Sequence, residues 1–224
     1  MARKFVHYLI AFTIVVVFVP IPTQIEAEET AEIERRLAED PTNISLLVAA
    51  GRAYLGEAEG GGAAALEKAE EYLDRALSLK PDDSQILVLH GSMLALKGRD
   101  ATFPVMKMRH VQNGLKEMDR AVELAPMDFG IRYQRGMYCL NLPDIFERAE
   151  TAVEDFEHLL MMTIQAPDSV SSEETNSIRL YFAQAKLKVG DVEDARALLE
   201  AVRTEAPGTA YADRAKALLD EIDG

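Results

Sequence analysis

The 224-residue sequence predicts an all-α fold: antiparallel helix pairs stacked as an α-solenoid of about four repeats, with a C-terminal capping helix. Three observations carry this expectation. After residue 28 the apolar residues recur at spacings of three and four rather than two, and Ala, Leu and Glu dominate. Proline-bearing stops punctuate the chain in one style, "DPTN" at Asp40, "KPDD" at Lys80, "APMD" at Ala125, "APDS" at Ala166 and "APGT" at Ala206. Each stop ends an amphipathic helix and supplies polar residues to cap the next. Between the stops the segments look alike.

The chain opens with Arg3 and Lys4 ahead of an apolar run over residues 5–19 that ends at Pro20 and Pro22. That run is shorter than the roughly 20 residues needed to cross hydrocarbon, so residues 1–27 read as a signal peptide. Cleavage is expected after Ala27, where Ile25 and Ala27 occupy the two positions that want small or apolar side chains. The alternative is an uncleaved anchor; either way the chain is exported. The expected location is periplasmic or secreted, in a bacterium, with membrane contact only through an uncleaved N-terminus.

Residues 28–224 are expected to form one helical domain. "TAEIERRLAED" looks like a lone second helix, followed by repeats at about 44–83, 84–128, 129–167 and 176–209 and a capping helix at about 210–222. The first helices are "LLVAAGRAYL", "ILVLHGSMLAL", "IRYQRGMYCL" and "IRLYFAQAKLKVGD", each with a small residue at its middle: Gly51, Gly91, Gly136 and Ala183. The second helices carry Ala69, Tyr72 or Leu73, Ala76 and Pro81; Gly114, Met118, Ala121 and Pro126; Ala152, Phe156 and Leu159; and Ala195, Leu199, Val202 and Pro207 in matching columns. Small residues let paired helices approach closely, and the large apolar ones fill the space between pairs.

This pattern resembles the tetratricopeptide repeat (TPR) family, in which paired helices carry the same small columns and a closing proline. The resemblance implies a module that binds peptides or partner helices on an inner surface lined by first helices. The chain departs from the family's usual period of 34 residues, running 40 from Pro41 to Pro81 and 45 from Pro81 to Pro126. The surplus falls between the helices of each pair. It reads as a flexible turn in "GEAEGGGAAA" and as a turn broken by Pro143 in "NLPDIFER". In "GRDATFPVMKMRHVQNG" the surplus reads as a loop and an extension of the second helix. Its stripe of Val105, Met108, Val111 or Gln112, Leu115, Met118 and Val122 starts just after Pro104. This arm is expected to fold against "NLPDIFERAE", bringing Phe103 and Phe146 into a local cluster; the alternative is a protruding helix with no partner of its own.

The formal charge of −14 becomes −15 without residues 1–27. It disfavours nucleic acid, phosphate-rich ligands and anionic membrane surfaces and favours encounter with basic partners. The single cysteine, Cys139, excludes an intrachain disulfide and reads as a buried inert thiol. Met106, Met108 and His110 at i, i+2 and i+4 raise the idea of a Cu(I) site, but these positions do not share one helix face, and core packing accounts for Met108. No cofactor or metal is expected. No nucleophile elbow, phosphate-binding glycine loop or HExxH motif is present, so the chain reads as non-catalytic.

The inner face expected from the resemblance comprises Val48, Arg52 and Leu55; Val88 and Ser92; Tyr133, Met137 and Leu140; and Leu180, Gln184 and Leu187. Its apolar character points to an exported adaptor or scaffold that docks an apolar or basic peptide or helix. The alternative is a carrier or transport accessory that shelters an apolar small molecule, which an enclosed cavity would favour. The same face would also be explained if neighbouring parts of the chain fill it.

Overall fold

The computed structural model describes residues 24–224, with side chains from Glu29 onward. The predicted signal peptide over residues 1–27 lies almost wholly outside the described residues. Ten helices follow in order: α1 (Gln24–Glu39), α2 (Ile44–Glu59), α3 (Ala63–Leu79), α4 (Ser84–Asp100), α5 (Pro104–Leu124), α6 (Phe129–Asn141), α7 (Ala149–Gln165), α8 (Ser172–Val189), α9 (Val192–Glu205) and α10 (Ala210–Asp223). Consecutive helices pair as α2 with α3, α4 with α5, α6 with α7 and α8 with α9. The first helices also touch one another in sequence, α2 to α4 to α6 to α8 to α10, and so line one continuous surface. That is the arrangement expected of stacked pairs that meet only their neighbours.

Local chemistry sets the helix starts. After each proline turn a side chain caps the next first helix: Asn43 accepts from the Leu46 amide, Asp83 from Gln85 and Ile86, Asp128 from Ile131 and Thr209 from Ala212. Ser171 opens α8 with a full capping box to Glu174. The second helices lack such caps, starting from Gly62, Phe103, Arg148 and Asp191. They are held by pairing with the helix before them.

The small columns set how closely the pairs pack. A Cβ on Gly114 would sit 2.9 Å from the Gly91 carbonyl oxygen, and one on Gly91 would sit 3.0 Å from that of Gly114. The α4 and α5 backbones are therefore in direct contact. Gly136 packs on Asp155 and Phe156, and Gly51 on Leu73. The large residues of the second-helix columns, Leu73, Met118, Phe156, Leu159, Leu199 and Val202, are all fully buried. The N-terminal end is closed by α1, which buries Leu37 against α2 and α3 and accepts hydrogen bonds at Glu34 from the hydroxyls of Tyr54 (2.9 Å) and Tyr72 (2.7 Å).

Three expectations about the insertions fail. Most of "GEAEGGGAAA" is helix, leaving only residues 60–62 outside α2 and α3, because Ala and Glu favour helix and only the glycines do not. In the second pair α4 runs to Asp100 and α5 starts at Pro104, so the loop shrinks to three residues. Phe103 does not cluster with Phe146. Phe103 is 71% exposed, whereas Phe146 packs against a core formed around Cys139 and Phe156. The longer helices pair with each other instead, with Gly98 meeting Val111 and Lys107, so the tip is carried beyond its neighbours. The expected stripe on α5 is buried only from Val111 onward; Val105 and Met108 are exposed.

A buried ionic network anchors α6. Asp155 of α7 is fully buried and accepts two hydrogen bonds from Arg135, from Nε at 2.7 Å and Nη2 at 2.8 Å, and one from Arg132 Nη1 at 2.7 Å. Arg135 also reaches Asp119 of α5, which accepts from Arg148 too. A second polar tie joins three helices, since His90 of α4 lies between Glu117 of α5 and Asp74 of α3. Burial opposes the charged imidazole, but the hydrogen bonds and charges of Glu117 and Asp74 outweigh it and raise the His90 pKa above its ordinary value.

Gly114→Ala forces apart two backbones that cannot relax as a side-chain tip would, and is expected to cost about 1–3 kcal/mol in urea denaturation. Asp155→Ala leaves two buried guanidinium groups without their shared acceptor and is expected to cost about 3–5 kcal/mol by the same measurement. Because the folded pKa of His90 is raised, its stabilising contribution is fully present below its unfolded value of about 6.5 and lost as pH rises through the folded value. Stability profiles of the wild type and His90→Gln should therefore differ most at acidic pH and converge in alkaline solution.

Candidate partner-binding face

The first helices line the inner surface, and the structure separates the predicted face into two groups. Leu55, Val88, Leu140 and Leu180 are buried core residues. Leu55 and Val88 belong to the core between the first two pairs, Leu140 to that around α6 and α7, and Leu180 to that under α9 and α10. Their apolar side chains serve packing, so much of the apolar character of this face is internal. Val48, Tyr133, Met137 and Leu187 are partly buried against the same cores and keep accessible edges. Arg52 is exposed, and Ser92 donates back to the Val88 carbonyl at 2.9 Å within its own helix.

Three predicted residues converge. Leu140, Gln184 and Leu187 line an open cleft of about 340 Å³ together with Asn141, Lys188 and Leu218. The cleft lies at the C-terminal ends of two first helices. Pro143 and the 3₁₀ turn Asp144–Phe146 end α6 at Asn141, and Leu187 and Lys188 occupy the positions of α8 that match Leu140 and Asn141 of α6. Leu218 of α10 closes the far side.

The cleft combines an apolar floor with amide and ammonium groups. Asn141 Nδ2 donates to the Met137 carbonyl at 2.8 Å, and Lys188 Nζ donates to the Leu142 carbonyl at 2.7 Å, which fixes both side chains. Gln184 is half-buried and makes no side-chain hydrogen bond among the described residues, so its amide presents donors and an acceptor to whatever enters. A second cleft of about 240 Å³ shares Lys188 and is rimmed by Asp144, Glu147 and Glu150, with Arg148 also on its wall. Asn141, Lys188 and Leu218 were not in the sequence-derived face. Asn141 and Lys188 sit one residue beyond predicted positions, at helix ends whose exposure depends on the neighbouring helix, and Leu218 lies on the capping helix.

Other candidate groups fall elsewhere. Cys139 is buried, and burial pushes its thiol up to about 11, leaving it protonated and unreactive. Met106 and Met108 are both exposed on the tip of α5, and neither is core. Among the described residues no group of three or more His, Cys, Asp or Glu side chains is placed to hold a metal ion, and no helix is long and apolar enough to cross a membrane.

No protein-family model matches the sequence, and no curated protein matches it. Solved structures do match the fold. The chain is similar to TTC0263, a thermophilic TPR protein of Thermus thermophilus, with 18% identity over 87% of this chain and 91% of that one and a TM-score of 0.63. It is similar to YrrB, a TPR protein with an unusual peptide-binding site, with 19% identity over 86% and 84% and a TM-score of 0.56. It is also similar to MamA, with 15% identity over 81% and 82% and a TM-score of 0.53. Together with the small columns and the continuous surface of first helices, these likenesses establish that the described chain has a tetratricopeptide-repeat fold.

Proposed function

We propose that the protein is an exported, non-catalytic interaction module that holds an extended peptide segment of a partner protein against the C-terminal half of its inner face. The observation that carries this reading is the Gln184 amide lining one open cleft together with Leu140, Leu187 and Leu218. An extended peptide offers free backbone N–H and C=O groups that pair with such an amide, and its alternate side chains fill an apolar floor. The acidic rim of Asp144, Glu147 and Glu150 adjoins this cleft through Lys188 and favours a basic side chain beside the apolar one. The peptide-binding site named for YrrB adds a precedent on the same fold. Export rests on the basic start and the apolar run of residues 5–19. The open form of the cleft favours a peptide over a sheltered small molecule, which would be enclosed.

Selection of peptides from a random library on the immobilised protein tests this. The selected peptides are expected to carry an apolar residue near a basic one and to lose at least about tenfold in affinity when Gln184→Ala and Leu187→Glu are introduced, as central contact residues do. Glu157→Ala, on the exposed surface of α7, should leave affinity unchanged. Selected peptides that bind both inner-face variants as well as the wild type would rule out this face as the binding site.

A further inference from the structure

The tip of the α4–α5 hairpin is neither core nor part of the inner face. Phe103 and Val105 are 71% and 78% exposed, and Met106 and Met108 beside them are also exposed. Four large apolar side chains thus stand in solvent within six residues, at a place where the chain has spent extra helical turns to carry them. The sequence at the tip is locally basic. Residues 97–110 hold Lys97, Arg99, Lys107 and Arg109 against the single acid Asp100, in a chain of net charge −14. Lys97 is paired with Glu70. Arg99 donates to the carbonyls of Ala58 and Glu59 as well as to Asp100, which pins the hairpin to the end of α2. Arg109 is exposed at the tip.

Lys97 and Arg99 lie at the level of the α2 end and are paired with Glu70 and Asp100, so the cations that accompany the apolar side chains at the tip are Lys107 and Arg109. A protein partner would need a shaped pocket for such a convex apolar knob. A lipid interface needs none: acyl chains accept apolar side chains of any shape, and phosphate headgroups attract the flanking cations.

We propose that residues 103–109 form a membrane-docking tip that inserts Phe103, Val105 and Met106 into the interface of an anionic phospholipid surface, with Arg109 at headgroup level. The docking site lies at one edge of the solenoid and leaves the inner face free. It is independent of the peptide reading and of the N-terminal segment.

The test uses the full chain carrying Met106→Cys labelled with an environment-sensitive fluorophore; Cys139 is only 1% exposed and is shielded from the label. The label reports the depth of the tip, which an N-terminal segment holding the chain on a vesicle does not by itself change. With vesicles of equal parts phosphatidylglycerol and phosphatidylcholine the emission should shift to the blue, and with phosphatidylcholine alone it should not. Adding Arg109→Glu should weaken the response about fivefold or more, in line with the contribution of one basic residue at an anionic surface. Phe103→Asp should abolish it. A label at Ser78→Cys, at the opposite edge, should stay water-like throughout. A tip label that remains water-like with both vesicle types overturns the proposal, as does an equal response to both. A blue shift that grows with protein concentration in the absence of vesicles would overturn it too, by assigning the tip to a second copy of the chain.

Discussion

The direct backbone contact between Gly91 and Gly114 is the constraint from which the rest of the stack can be read. Two helices that touch at the backbone have no room for side chains along that line, so the large apolar residues pack beside it. Met118 packs against Gly91 and Phe156 against Gly136 of their own pairs, and both, like Leu199, are fully buried. The core is a chain of overlapping clusters rather than one centre, running from Leu37 in α1 to Leu219 in α10. Such a fold is stabilised by neighbours alone, and its ends need the covering that α1 and α10 provide.

Polar groups supply what apolar packing leaves undone. Apolar side chains fill the space between pairs without fixing how far one helix slides along another. The bidentate Arg135–Asp155 contact, the Arg132 hydrogen bond to the same carboxylate and the reach of Arg135 to Asp119 have demanding geometry, and they join α5, α6 and α7 at one height. His90 does the same for α3, α4 and α5. The cleft sits where α6 ends, lined by Leu140 and Asn141 of α6 and by Gln184, Leu187 and Lys188 of α8.

Both notable surfaces lie at helix ends. The C-terminal ends of α6 and α8 present Leu187, Gln184 and Lys188 on the line of first helices, and a long α5 carries Phe103 and Val105 away from it. The repeating frame itself is indifferent to these ends, because contacts between pairs are made at the middle of the helices, where the small columns lie. Turns between helices accept additions and losses that the columns do not.

The sequence by itself determined the all-helical class, the four pairs, the proline stops and the small columns, because these depend on spacing within a single helix and on the conformational limits of proline and glycine. Leu140, Gln184 and Leu187 were also legible, since a helix face is readable from a period of 3.6 residues. Which apolar residues on a face are core and which are exposed was decided only by the tertiary structure. Val88 and Val105 are the same residue type on neighbouring helices, yet Val88 is 2% exposed, because its burial depends on how far adjacent helices extend. Phe103 was misread for that reason: its apolar character implied burial, while the length of the α4–α5 pair carried it away from any neighbour. Asp155, which in sequence looks like any acid on a solvated helix, is fully buried because two arginines from another helix arrive beside it. Local pattern specifies what each helix is able to bury, and the lengths and registers of its neighbours decide what it does bury.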